Sequence, residues 1–180
     1  MLRMIIGGKD LRPRLRAGAR RRYPARRLHV VDIENLAGAA VPSLGQVREV
    51  QDRYAERVGL GAIDHVVVAT SHLALLNAAL SWPHARYRVR SGPDGADLEL
   101  LDVLRHENVA GRFTHVAIGS GDGAFTPAAV GLAAAGAWVT VVSRRGGLSA
   151  RLALAAHEVI FIDAAEPAAA TARQQPDHAA

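Results

Sequence analysis

"HVAIGSGDGAFTPAAVGLAAAGAWVTVV", residues 115–142, reads as one complete unit of an α/β fold. A short apolar run, His115–Ile118, gives way to a glycine-rich loop carrying one acid, Asp122. An alanine-rich segment started by Pro127 follows, and then a second β-branched run, Trp138–Val142. Apolar runs without polar alternation are what parallel strands need when helices cover both faces of a sheet. Proline at the start of the intervening segment fits the first turn of a helix, where its missing N–H costs nothing.

The same alternation extends in both directions. Further strands are expected at 28–33, 65–69, 86–90 and 159–162, and helices at 43–58, 71–80, 95–108, 127–135 and 148–156. Strand and helix in turn imply βαβ crossovers and a three-layer α/β/α sandwich, Rossmann-like, with a mostly parallel sheet. Residues 86–90 differ, because Arg86, Arg88 and Arg90 share one face with Tyr87 and Val89 on the other. Such half-polar alternation marks an edge strand, where charge discourages pairing between sheets.

Composition bounds the function. The 180 residues are 49% hydrophobic, enough for one domain with a sizeable core. The absence of cysteine excludes disulfides and thiolate metal sites and makes the cytoplasm the expected compartment. No apolar run is long enough to span a bilayer, so no membrane association is expected, and "MII" is too short for a signal peptide. The net charge of +5 is uneven: residues 1–27 carry +9 and the rest −4. An arginine-rich arm over 1–27, expected to be disordered, therefore precedes a mildly acidic domain over 28–163. An Ala/Pro/Gln-rich tail, 164–180, is expected to be disordered as well. Arg20, Arg21 and Arg22 in the arm are suited to neutralising phosphates; a solvated tail or a misassigned start is the plainer reading.

Three acids are expected at one edge of the sheet. Ligands of open parallel sheets bind outside the carboxyl ends of the strands, where strand order reverses. Asp32 closes the first strand and Asp122 follows the fourth; in the order 3-2-1-4-5 they face each other. Asp122 could cap the next helix, but Thr126–Pro127 already reads as cap and first helical residue, which leaves Asp122 without a structural task. Asp97 falls on the inward face of a helix from about Gly95, or else completes a capping pair with Asp94. Three converging carboxylates repel unless a hard cation, Mg²⁺ or Mn²⁺, sits among them. Asn35 offers a neutral group for orienting a water or a phosphate. Arg144 and Arg145 follow the fifth strand at the same edge, as phosphate contacts or as a solvated loop. His29, His65 and His115 precede apolar runs and are expected as strand-entry residues at the opposite edge, not as ligands.

"HVVDIENLAG", "GADLELLDVL", "IGSGDGAFTPAAVGLAAAGAWVTVV" and "LSARLALAAHEVIFID", in that order, resemble the NYN domain of the PIN-like nuclease superfamily over about residues 28–163. The resemblance implies a Rossmann-like sandwich whose acidic cluster binds a divalent metal and hydrolyses RNA. It places catalytic roles on Asp32, Asn35, Asp97 and Asp122, metal binding on the three acids, and an RNA contact on Ser120. Single-stranded RNA is the implied partner, with a homodimer or a protein partner as further candidates. The chain departs from the family at Ala124, where the loop motif has a second acid. A weakened nuclease and a catalytically silent RNA-binding or regulatory module are therefore both compatible with the sequence. "DIEN" and "GDG" also mimic the acidic motifs of haloacid dehalogenase phosphatases, but the expected second Asp is Glu34 and the only lysine is Lys9.

Overall fold

The computed structural model describes residues 26–163. Six strands form one sheet: β1 (Arg27–Asp32), β2 (His65–Thr70), β3 (Arg86–Val89), β4 (His115–Gly119), β5 (Trp138–Ser143) and β6 (Glu158–Phe161). All neighbouring pairs are parallel, in the order β3-β2-β1-β4-β5-β6. Order reverses beside β1, which pairs with β2 on one side and β4 on the other.

Among the described residues seven helices connect the strands: α1 (Ile33–Ala37), α2 (Leu44–Val58), α3 (Leu75–Ser81), α4 (Gly95–His106), α5 (Val109–Arg112), α6 (Thr126–Ala134) and α7 (Ala150–Ala155). Strand alternation divides the core in two. Val30, Val67, Ile118 and Val141 face α4–α7 through Leu100, Val109, Leu132 and Leu152. Val31, Val68 and Val142 face α1–α3 through Leu36, Val47, Tyr54 and Trp82. The fold is thus the expected three-layer, Rossmann-like α/β sandwich. Leu100 is fully buried in the first half-core, so its replacement by alanine costs about 2–5 kcal/mol.

β3 lies at the sheet edge, as its alternation predicts. Its arginines turn to α4: Arg86 bonds Glu107 at 2.8 Å, and Arg88 bonds Glu99 and Asp102 at 2.7 Å each. Of the three histidines expected at strand entries, His65 and His115 open β2 and β4. His29 lies two residues inside β1, fully buried, with Nδ1 3.0 Å from the Tyr54 hydroxyl and Nε2 3.4 Å from Asp64. Burial keeps its pKa below the usual histidine value.

Candidate functional site

β1 carries Asp32 to the carboxyl edge, and the strand ends there because the chain turns at once into a helix. The Asp32 carboxylate accepts the Asn35 N–H at 3.0 Å and caps α1. The helix is only five residues long because Gly38 closes it at φ 69°, a left-handed conformation. Gly38 has a second reason: a Cβ there would overlap the Arg144 guanidinium lying across it. Arg144 donates from Nε to the Asn35 carbonyl at 3.1 Å. Its Nη atoms have no hydrogen-bond partner among the described residues.

Asp97 arrives from the first turn of α4 and is 8% exposed. The capping pair with Asp94 does not form. Asp94 precedes the helix at φ 54° with no side-chain cap bond. The Asp97 Oδ1 is buried with no donor beside it. Asp32 and Asp97 wall the same cleft and each shifts the other's titration, so a proton shared between them, or a cation, can satisfy that oxygen. Desolvation pushes Asp32 up to about 8, aided by the charges of Asp97 and Glu34 and opposed by the Asn35 N–H. Desolvation also raises Asp97, with the charges of Asp122, Asp94 and Glu34 adding to it.

These groups share a cleft of about 330 Å³, walled by Asp32, Glu34, Asn35, Asp94, Asp97 and Arg144 among others. Glu34 is turned to the end of β2, where it accepts the Ser71 N–H at 2.7 Å. Its side chain is thereby fixed at the cleft rim rather than free to swing in.

The GSGDGAF loop behaves differently from its sequence reading. Asp122 does have a structural task. It accepts the Ala124 N–H at 2.7 Å and caps a 3₁₀ turn, Gly123–Phe125. Thr126 is not the cap of α6: the helix already includes it, and its hydroxyl is buried without a partner. Continuity between the 3₁₀ turn and α6 removes the need for a cap there. Asp122 stands outside the cleft wall, although its charge reaches Asp97. Among the described residues no three His, Asp or Glu side chains stand together as a ready ligand cluster. The loop's small residues have an internal explanation. A Cβ on Gly121 would overlap the Gly147 carbonyl and the Ser143 hydroxyl, so what approaches the backbone is the chain's own 143–149 loop. The Gly121 carbonyl accepts the Ser149 N–H at 2.9 Å from that loop.

The remaining predicted residues divide. Asn35 uses its Oδ1 to accept the Gly121 N–H at 3.0 Å, which locks the ends of β1 and β4 together. Ser120 is fully buried and accepts the Asp122 N–H at 3.2 Å, so it shapes the loop and offers no surface to a ligand. Arg145 is exposed but lies 4.6 Å over the Phe161 ring, outside the cleft wall. Arg20, Arg21 and Arg22 lie outside the described residues. Sequence reasoning missed α1 and Gly38, although an acid cap followed six residues later by glycine is a signature of a short helix.

The fold and the cleft define a Rossmann-like α/β protein with paired buried carboxylates at the switch point of its sheet. No family model matches the chain, and no curated protein matches it. Among solved structures it is similar to a protein of unknown function from Vibrio parahaemolyticus, at 16% identity and a TM-score of 0.54. The match covers 77% of this chain and 93% of that one. At this identity the likeness speaks to the fold alone. Among the described residues no helix is long and apolar enough to cross a membrane.

Proposed function

We propose that the protein is a metal-dependent ribonuclease of the NYN, PIN-like kind, hydrolysing phosphodiester bonds of single-stranded RNA at the Asp32–Asp97 cleft. The observation that carries this reading is the orphaned Oδ1 of Asp97 beside a second buried acid. An unpaired buried carboxylate is costly, and an all-oxygen donor set suits Mg²⁺ or Mn²⁺. Asp32 and Asp97 are the ligands the cleft offers; Asp122, outside the wall, adds its charge from a distance. A bound ion would supply a Lewis acid for a phosphoryl oxygen and a more acidic water.

The chain's own groups have separate tasks. Asp32 and Asp97 concentrate negative charge at the strand ends and hold one proton in the metal-free state. Arg144 stands in the same wall with its Nη atoms available, a fork suited to a phosphate. Asn35 fixes the distance between the two strand ends, and Glu34 braces the end of β2.

Ala124 favours a second reading, a catalytically silent RNA-binding module. The residue is exposed and contributes no carboxylate, while one oxygen of Asp122 is engaged in holding the loop. Purified protein incubated with single-stranded and structured RNA, with Mn²⁺, Mg²⁺ or EDTA, separates the two. Cleavage that needs the metal and disappears in Asp97→Asn supports the nuclease. RNA binding with no cleavage in any metal supports the silent module.

A further inference from the structure

A second charged cleft lies at the opposite, amino-terminal edge of the sheet, far along the strands from Asp32. Its volume is about 290 Å³, and it sits where β1, β2, β3 and β4 begin. Arg86 opens β3, His65 opens β2, and Arg112 and Phe113 lead into β4. Arg26, just ahead of β1, reaches the same place, bonding His65.

Two of these arginines, Arg112 and Arg26, are held in position by an aromatic ring. Phe113 is 4% exposed, and the guanidinium carbons of Arg112 and Arg26 lie 5.1 and 5.7 Å from its centroid. The His65 ring meets it edge-on at 5.2 Å. Cation–π contact orients a guanidinium while leaving its N–H edges for other partners. Acids are scarcer than arginines at this edge. Glu107 serves Arg86 at 2.8 Å and Arg112 at 3.7 Å, and Asp64 is taken by Arg27 at 2.8 Å. Arg26 has no acidic partner among the described residues. The same surplus of positive charge from Arg26, Arg112 and Arg86 helps hold His65 in its neutral form, after desolvation.

We propose that this amino-edge cleft is a phosphate-binding anchor in which Arg26, Arg86 and Arg112 hold the backbone of an RNA strand. Inorganic phosphate shares the chemistry, but the sequence favours a polyanion. Arg26, at this cleft, ends the arginine-rich sequence run "RRRYPARR", 20–27, with Arg27, so further positive charge is covalently next to the site. The choice of RNA rests on the proposed function; the phosphate chemistry of the cleft does not.

The test is fluorescence anisotropy of the full chain with a labelled single-stranded oligoribonucleotide, in EDTA, over a salt series. Arg86→Gln/Arg112→Gln removes two contacts; affinity is expected to fall about 10-fold and the log–log salt slope to flatten by about 1.4. Glu107→Gln removes the negative charge that Arg86 and Arg112 share, and affinity is expected to rise several-fold, a gain that misfolding cannot imitate. Equal affinity and slope in wild type and both variants would overturn the anchor. So would pyrophosphate binding that depends on these arginines while RNA binding does not, since that assigns the cleft to free phosphate. Metal-dependent cleavage by the same preparations is scored separately, so loss of the nuclease reading leaves the binding result intact.

Discussion

The side-chain oxygen of Asn35 accepts the backbone N–H of Gly121 at 3.0 Å, joining the end of β1 to the loop after β4. These two strands flank the switch point, and the bond sets how far apart Asp32 and the Asp122 loop stand. Gly121 is buried, so removing its acceptor strands a donor away from water. Asn35→Ala is expected to lower unfolding stability by about 1–3 kcal/mol, read from urea denaturation. Asn35→Asp, which keeps an oxygen in place, is expected to recover part of that loss in acid. An unchanged midpoint in Asn35→Ala would remove the bond from the account.

Stability of the metal-free protein should depend on pH through Asp32. Its pKa rises from 3.8 to about 8 on folding, so the folded state binds the proton more tightly. The contribution is fully present below about pH 4 and is lost as pH climbs through 8, by at most about 1.4 kcal/mol per unit. Thermal unfolding in EDTA is expected to show a falling midpoint from pH 5 to 8, flattened in Asp32→Asn. Addition of Mn²⁺ at pH 8 is expected to restore the midpoint in wild type and not in the variant.

Ala124→Asp tests the departure from the NYN pattern. The position is exposed, so an added carboxylate has little burial cost, and stability is expected within about 0.5 kcal/mol of wild type. A nuclease lacking one acid gains Mn²⁺ affinity and several-fold in cleavage rate. A silent binder gains no turnover and loses RNA affinity, because negative charge is added where phosphate approaches. Cleavage and binding measured across a Mn²⁺ titration distinguish the outcomes.

Gly121→Ala should be harsher than its size suggests. The methyl group would collide with backbone at Gly147, which cannot swing aside as a flexible side chain does. A loss of about 1–3 kcal/mol is expected in denaturant unfolding. Gly131→Ala, where the space is open, serves as the control and is expected to match or exceed wild type.

Much of the fold was legible because strand runs such as His65–Ala69 have no competing period. The boundaries were less so. The helix expected from 71 begins at Leu75, since the chain first makes a turn in which the Ala74 N–H reaches the Ser71 carbonyl. The helix expected over 95–108 stops at His106, and Asn108 at φ 49° starts a separate turn, α5. In the cleft, Asp32 and Asp97 could be placed from strand end and helix face alone. The roles of Asp122, Asn35 and Ser120 could not. Each is decided by a bond to a backbone N–H whose position depends on how two loops pack, and periodicity carries no such information.

The all-parallel sheet also sets the order in which the protein can be completed during synthesis. β1 emerges first yet stands in the middle, and Leu28 must wait for Val116 before its second side is paired. At about 5–20 residues per second that wait lasts several seconds. Throughout it, a strand carrying Leu28, Val30 and Val31 offers an open hydrogen-bonding edge, the condition under which nascent chains associate wrongly. The earliest strand of the domain to leave the ribosome therefore waits longest for its second neighbour.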